Sequence, residues 1–244
     1  MKFIRTVFLY LLISVTTHAW SETSPFRVVI DPGHGGQDLG AVRDAYVESE
    51  IVLEISKKLK SQLESYPDIK VTLTRETARG IALRNRVQIA NEQNADLFVS
   101  LHANTSNSDT VTGMEFYFNS PQAVNHSIAD RDESKPLDNR DVIQKIRDDF
   151  AFYDKTSRSL KLTHTMMKKS AQPNTKSVIK RAPFLVIDHT LMPAVLIELG
   201  FISNKLEAKK LTSEDFQSEI TRQLATAIIE YKEKGDKSSA VLDK

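Results

Sequence analysis

Short apolar segments with strand character alternate with longer amphipathic segments from Phe26 onward, and this alternation most narrows the folds open to the chain. In chain order the segments span 27–30, 48–65, 71–74, 81–93 and 96–101, with helical periodicity in the second and fourth. The last of them is apolar enough to be a strand covered on both faces. This order predicts a single layered α/β domain: a mostly parallel twisted sheet of about six strands with helices on both faces.

The second half of the chain predicts three further strands, an insert and a closing helix. The strands are expected at 114–118, 184–187 and 194–199, and the helices at 142–153, 160–167 and 213–232. The insert spans about 119–156 and begins with a polar stretch without apolar periodicity. Ser213 is the predicted N-cap of the closing helix. The domain therefore spans 26–232, followed by a polar tail at 233–244.

The first 19 residues have the layout of a secretory signal peptide. Lys2 and Arg5 precede an apolar run from Val7 to Val15, and the small residues Thr16, Thr17 and Ala19 follow. The apolar run is far shorter than the roughly 20 residues that a spanning helix needs. We therefore expect export to the periplasm, with secretion or wall association as the alternative, and no membrane span in the mature protein.

Composition excludes several kinds of site. The formal net charge is only +1, so nothing in the overall charge indicates a nucleic-acid partner. The chain has no cysteine, which rules out thiolate metal sites and cysteine nucleophiles. A metal ion would have to be bound by His, Asp and Glu, and we expect the protein to be a monomer.

Two histidines follow predicted strands. His34 lies in VVIDPGHGG and His102 in VSLHAN. The carboxyl ends of parallel strands meet at one edge of a sheet, so these two side chains can converge as metal ligands. A phosphate-binding loop is the competing interpretation of the first segment, but the segment matches neither the Walker pattern nor GxGxxG.

Two glutamates complete the candidate set. Glu48 begins the first amphipathic helix and could be a third ligand, although it could also be an ordinary capping residue, and spacing alone does not separate it from Glu50. Glu198 follows four apolar residues in PAVLIELGFISN. A carboxylate in such a strand is costly to bury without a partner or a function, so it is either a general base or one half of a structural ion pair.

These four ordered segments resemble those of the zinc-dependent N-acetylmuramoyl-L-alanine amidase family, with its amidase_3-type catalytic domain, over nearly all of 27–231. The resemblance implies that His34, Glu48 and His102 bind one Zn²⁺ per chain and that Glu198 is the catalytic acid and base. It implies a peptidoglycan hydrolase that cleaves the amide between N-acetylmuramic acid and L-alanine. The family's helix start usually reads Glu-Lys-Asp, whereas this chain has Glu48-Ser49-Glu50, and this departure keeps Glu50 open as a ligand.

Two other functions are compatible with these residues and this fold. A zinc peptidase acting on the stem peptide would use the same residues, and a wall-binding regulator of the same fold would have no turnover. The resemblance also suggests that helix 141–153 occludes the zinc, through Asp141 or Asp148, until a protein activator displaces it. Arg75, Arg84 and Asn91 are expected to be scaffold residues, and His189 is a candidate for lining the cleft.

Overall fold

The computed structural model describes residues 24–120, 139–171 and 175–242. The predicted signal peptide at 1–19 and residues 121–138 of the predicted insert lie outside the described residues. The side chains of Asn139, Asp141 and Val142 and those from residue 236 onward are also outside this description.

A six-stranded sheet in the order β4-β1-β5-β8-β6-β7 forms the centre of the fold. Its strands are β1 (Phe26–Pro32), β4 (Ile69–Leu73), β5 (Leu97–Asn104), β6 (Met114–Phe118), β7 (Ser177–Arg181) and β8 (Ala194–Phe201). A separate two-stranded ribbon joins β2 (Val42–Arg43) and β3 (Tyr46–Val47). The sheet pairs are parallel except for β6 with β8. This architecture confirms the predicted α/β fold class.

Helices cover both faces of the sheet. They are α1 (Glu48–Leu63), α2 (Leu83–Glu92), α3 (Asn139–Ser170), α4 (Leu185–Asp188), α5 (Lys205–Leu211) and α6 (Glu214–Leu242). The larger core packs α1, α3 and α6 against one face, and the smaller core packs α2 and α4 against the other. The central strands β5 and β8 are buried on both faces, which is why they read as nearly continuous apolar runs.

The segment at 184–187, predicted to be a strand, is instead the short helix α4. A short apolar run fits either structure, and here its buried residues Val186 and Ile187 pack in the smaller core. Lys155 Nζ donates to the carbonyl oxygens of Ile187 and Asp188 at 2.8 and 2.9 Å and so satisfies the end of the helix. The strand that completes the sheet at this edge is instead β7, which the sequence did not predict.

The two helices predicted at 142–153 and 160–167 are one helix, α3. No glycine or proline separates them, and the intervening Ser159 is buried inside the helix. The closing helix likewise extends past the predicted end at 232 to Leu242, supported by an ion pair between Lys234 and Glu230. Its beginning agrees with the prediction, since Phe216 N–H is 3.4 Å from the Ser213 hydroxyl.

Within the residues that the structure describes, none of the helices is both long enough and apolar enough to span a bilayer.

Candidate metal and catalytic site

His34 lies just beyond the carboxyl end of β1 in a constrained backbone conformation. Its φ of 58° is in the left-handed region, which is unfavourable for a residue with a side chain. Arg86 Nη2 donates to the His34 carbonyl oxygen at 2.6 Å, and Gly35 N–H donates to the Asp38 carbonyl oxygen at 2.7 Å. These bonds hold the turn in the conformation that directs the imidazole into the site.

His102 approaches from β5, one strand away. Its ring lies directly against Gly33, where a side chain would collide with the imidazole. The His34 and His102 rings meet edge to face, with centroids 4.9 Å apart. The two strand-end histidines therefore converge, as the sequence predicts.

Glu48, the first residue of α1, completes the cluster and is 4% exposed. Its Oε1 lies 3.1 Å from His34 Nε2 and 3.0 Å from His102 Nδ1, and its Oε2 accepts a hydrogen bond from Ala41 N–H at 2.8 Å. One ligand atom from each of the three residues lies within 4.8 Å of the others. Glu50 is exposed on the same helix and is not in this cluster.

The electrostatics of the three residues favour a cation. Burial alone would raise the pKa of Glu48, but hydrogen bonds with His102 and His34 lower it well below the usual range. The hydrogen bond between His34 and Glu48 is the main reason that the pKa of His34 is raised to about 9, although burial of the imidazole lowers it. At neutral pH His34 therefore carries a proton that a metal ion would displace, and the carboxylate with two neutral imidazoles would then be a donor set that fits Zn²⁺.

Asp38, which the sequence analysis missed, orients His34. Its Oδ2 lies 2.8 Å from His34 Nδ1, and its Oδ1 accepts a hydrogen bond from Gly40 N–H at 3.1 Å. This contact leaves His34 Nε2 facing Glu48 and His102. A carboxylate on the second nitrogen is the usual companion of a metal-binding histidine. The only sequence signal was an acidic residue four positions after His34.

A buried ion pair between Asp31 on β1 and Arg86 on α2 joins two elements next to the site. Asp31 Oδ1 accepts hydrogen bonds from Arg86 Nη1 at 2.7 Å and from the Thr74 hydroxyl at 2.6 Å, and Asp31 Oδ2 accepts one from the Ser100 hydroxyl at 2.8 Å. Sequence reasoning missed Asp31 and Arg86, because a charged residue inside an apolar strand does not reveal its partner.

The arginines and Asn91 named as scaffold residues in the sequence analysis occupy different environments. Arg75 is buried and donates to the carbonyl oxygens of Pro32, Gly33 and Ser49. Asn91 accepts a hydrogen bond from Leu191 N–H at 2.9 Å. Arg84 is exposed. Arg75 and Asn91 therefore make the kind of contacts expected of scaffold residues.

Glu198 on β8 is the register partner of His102 on β5, so its side chain leaves the same face of the sheet. Within the described part of the chain its Oε2 is buried without a hydrogen-bond partner. Burial is the main reason that the pKa of Glu198 is raised to about 7, and Glu48 and Glu115 add to the effect while His102 opposes it. A carboxyl group poised near neutral pH can both accept and donate a proton.

The cleft beside His34 and His102 is lined by the 33–38 turn, by residues 80–83 and by Val186. Asp148 on α3 is exposed. His189 is also exposed and does not line the cleft. The Asp141 side chain lies outside the described residues, and the occluding role that the resemblance suggests for 141–153 stays a prediction.

Comparison with known proteins gives a match to the N-acetylmuramoyl-L-alanine amidase family over residues 28–230. The chain belongs to this family. The match confirms the family that the four motifs indicate. It covers both strand-end histidines, the first residue of α1 and Glu198.

Relatives in the amidase family resemble most of this chain. It is 32% identical to AmiA of Escherichia coli K12, over 84% of this chain and 75% of that protein. It is 31% identical to AmiC of Escherichia coli O6:H1, over 85% of this chain but only 53% of that protein, so this chain spans about half the length of AmiC.

Solved structures of amidases show the same fold. The catalytic domain of CwlV from Bacillus (Paenibacillus) polymyxa var. colistinus superposes with a TM-score of 0.67 at 31% identity, covering 85% of this chain and 98% of that one. The amidase CwlD of Clostridioides difficile, solved in complex with the GerS lipoprotein, has a TM-score of 0.65 at 25% identity, covering 84% of this chain and 97% of CwlD.

Proposed function

We propose that this protein is a zinc-dependent amidase that hydrolyses the bond between N-acetylmuramic acid and L-alanine in peptidoglycan. The observation that carries the proposal is the convergence of three ligand atoms within 4.8 Å, with Glu198 on the adjacent strand. His34, Glu48 and His102 would bind the ion, and the fourth position would be open to water and substrate.

Bound zinc would polarise the scissile carbonyl and lower the pKa of an attacking water molecule. Glu198 would accept the proton of that water, and its Oε2, which lacks a hydrogen-bond partner in the described structure, supports this role. The same carboxyl group would then donate the proton to the departing amine of L-alanine. Asp38 would keep His34 in the orientation that directs Nε2 toward the ion.

Glu198 and the ligand set distinguish this proposal from a binding role. A non-catalytic protein of this fold would gain nothing from a buried carboxyl group whose pKa is raised to about 7. A zinc peptidase acting on the stem peptide would use the same groups, so the products of the reaction separate the two enzymes.

The proposed substrate places the protein's activity outside the cytoplasm, in the periplasm or at the wall. The predicted signal peptide at 1–19 supports this location. A protein partner is part of the proposal as well, since the related CwlD was solved with the GerS lipoprotein. The regulatory role of 141–153 belongs to the same proposal.

Digestion of purified peptidoglycan tests the function. The chain from Trp20 onward is assayed zinc-loaded, after chelator treatment and after zinc is restored, and the products are identified by mass spectrometry. We expect intact stem peptides beginning with L-alanine, lost with the chelator and recovered with zinc. Shortened peptides on intact glycan would identify a peptidase instead, and turnover that survives removal of the metal would contradict the zinc mechanism.

A further inference from the structure

A second polar cluster, formed by Glu115, Tyr117 and Lys180, lies beside Glu198 and takes no part in the chemistry proposed above. Glu115 on β6 is the cross-strand partner of Glu198 on β8, so both side chains leave the same face of the sheet. Tyr117 on β6 is in turn the partner of Lys180 on β7, the outermost strand. The cluster therefore continues the catalytic face from Glu198 to the edge of the sheet.

Glu115 is held by three donors. Its Oε1 accepts a hydrogen bond from Lys180 Nζ at 2.6 Å, and its Oε2 accepts hydrogen bonds from the Tyr117 hydroxyl at 2.5 Å and from Asn104 Nδ2 at 3.1 Å. Burial alone would raise the pKa of Glu115, but the hydrogen bonds from Lys180 and Tyr117 lower it. Glu115 is therefore a fixed negative charge next to the catalytic carboxyl group.

Two neighbouring glutamates would repel an anionic group of a substrate from this wall, and Lys180 provides the opposite charge. Its side chain is 45% exposed, whereas that of Glu115 is 14% exposed. An ammonium group has three donors, and Glu115 takes one of them in the structure. An ion pair with such an exposed lysine contributes little to stability, so stability alone is a weak reason for a lysine here.

We propose that Lys180 binds a carboxylate of the stem peptide, the α-carboxylate of the second residue after the scissile amide. This inference rests on the proposed amidase function and specifies which part of the peptide the same site recognises. Tyr117 and Phe184 form the adjoining aromatic wall, with ring centroids 5.2 Å apart and Phe184 38% exposed. Lys180 Nζ lies 5.6 Å from the Tyr117 ring centroid, at the end of this wall.

The reach of a peptide agrees with this assignment. Lys180 Nζ lies 2.6 Å from Oε1 of Glu115, the cross-strand partner of Glu198, so the ammonium group is roughly 5–8 Å from the Glu198 side chain. Two extended peptide residues span at most about 7 Å and a hydrogen bond to the ammonium group adds about 3 Å, so two residues bridge this gap without full extension. A substrate whose scissile carbonyl lies beside Glu198 can therefore present the α-carboxylate of its second peptide residue to Lys180.

A pair of substrates that differ only in this carboxylate tests the proposal. The zinc-loaded enzyme is given N-acetylmuramoyl-L-alanyl-D-glutamic acid and its α-amide, and release of N-acetylmuramic acid is measured. We expect kcat/KM to favour the acid by roughly tenfold, the lower end for a hydrogen bond to a charged group, with most of the difference in KM. Lys180→Met should abolish the preference, and Lys180→Arg should retain it.

Arg181→Met is the matched control. Arg181 is the next residue of β7, but its guanidinium carbon lies 5.1 Å from the Phe118 ring centroid on the opposite face of the sheet. This variant should keep the preference for the acid. The free dipeptides L-alanyl-D-glutamic acid and its α-amide are also compared as inhibitors of peptidoglycan digestion, so the preference is obtained even if the small substrates react slowly.

Equal use of acid and amide by the wild-type enzyme would overturn the proposal. A Lys180→Met variant that loses the same factor on both substrates would overturn it too, since that result assigns Lys180 to neutralising Glu115. Failure of the amidase function gives a different result, in which peptidoglycan and both small substrates release no stem peptide or N-acetylmuramic acid.

Discussion

Glu198 combines a buried oxygen without a described partner and a pKa raised to about 7, mainly by burial. In the proposed mechanism its carboxylate form is the base, so kcat/KM should rise with pH through the pKa of this group and level off above it. A divalent cation at the histidines would favour the carboxylate and move the rise to lower pH. We expect a limb between pH 5 and about 7 in the pH profile of zinc-loaded enzyme. A rate that is constant over this range would argue against Glu198 as the base.

In the proposed metal site, Asp38 would act through His34 rather than by touching the ion. Replacing it with alanine removes the 2.8 Å contact with His34 Nδ1, and we expect zinc affinity to fall by about 10-fold, the lower limit for such partners because Asp38 is exposed. Competition with a chromophoric chelator measures the affinity. Glu50→Ala is the control, since Glu50 is exposed and outside the cluster. A larger loss of zinc affinity in Glu50→Ala than in Asp38→Ala would contradict the role assigned to Asp38.

Asp31 and Arg86 join the elements that carry the site, linking β1 to α2, and Thr74 and Ser100 extend the bonds to the chain after β4 and to β5. Asp31→Ala would leave the guanidinium buried without its counter-charge, and we expect the free energy of unfolding to fall by about 3–5 kcal/mol. Urea denaturation measures it. Adding Arg86→Met should recover part of the loss. A single variant that loses less than about 1 kcal/mol would show that the pair supports the site only weakly.

The elements that the sequence predicted well are those with one or both faces buried. Strands β1, β5 and β8 were found from their apolar runs, which end beside the candidate site residues. Strand β7 was missed because it is an edge strand with little buried surface and no apolar alternation.

The residues of the site likewise divide into those that the sequence pattern identified and those that it did not. His34, His102 and Glu198 follow from strand ends, whereas choosing Glu48 over Glu50 depended on resemblance until the structure showed which side chain lies against both histidines. Asp38 and Arg86 act through hydrogen bonds to His34 that no spacing rule encodes.

At the scale of the whole molecule, the first half of α3 carries an apolar stripe that is exposed in the part of the chain that the structure describes. Ile143, Ile146, Phe150 and Tyr153 recur on one helix face and are between 48% and 72% exposed. Leaving such a stripe in water favours a second arrangement in which it is covered, and occlusion of the site by 141–153 would be one such arrangement.

Deletion of 139–154 tests this regulatory role. The deletion retains Lys155 and its bonds to α4. We expect the deleted protein to digest peptidoglycan faster than the full chain, because the segment could no longer enter the cleft. Ile146→Ser with Phe150→Ser, which keeps the helix and removes part of its apolar face, should act in the same direction. A folded, zinc-loaded deletion variant with no rise in rate would contradict the regulatory role.

The most direct test of the central claim is the rate at which zinc-loaded Glu198→Gln releases stem peptides from peptidoglycan. Glutamine keeps the size of the side chain but cannot accept the proton. The account predicts zinc bound as in the wild type and a rate lower by about 10²–10⁴-fold, the usual contribution of a general acid and base. A rate within tenfold of the wild type would contradict it, because the proton would then be transferred by another group.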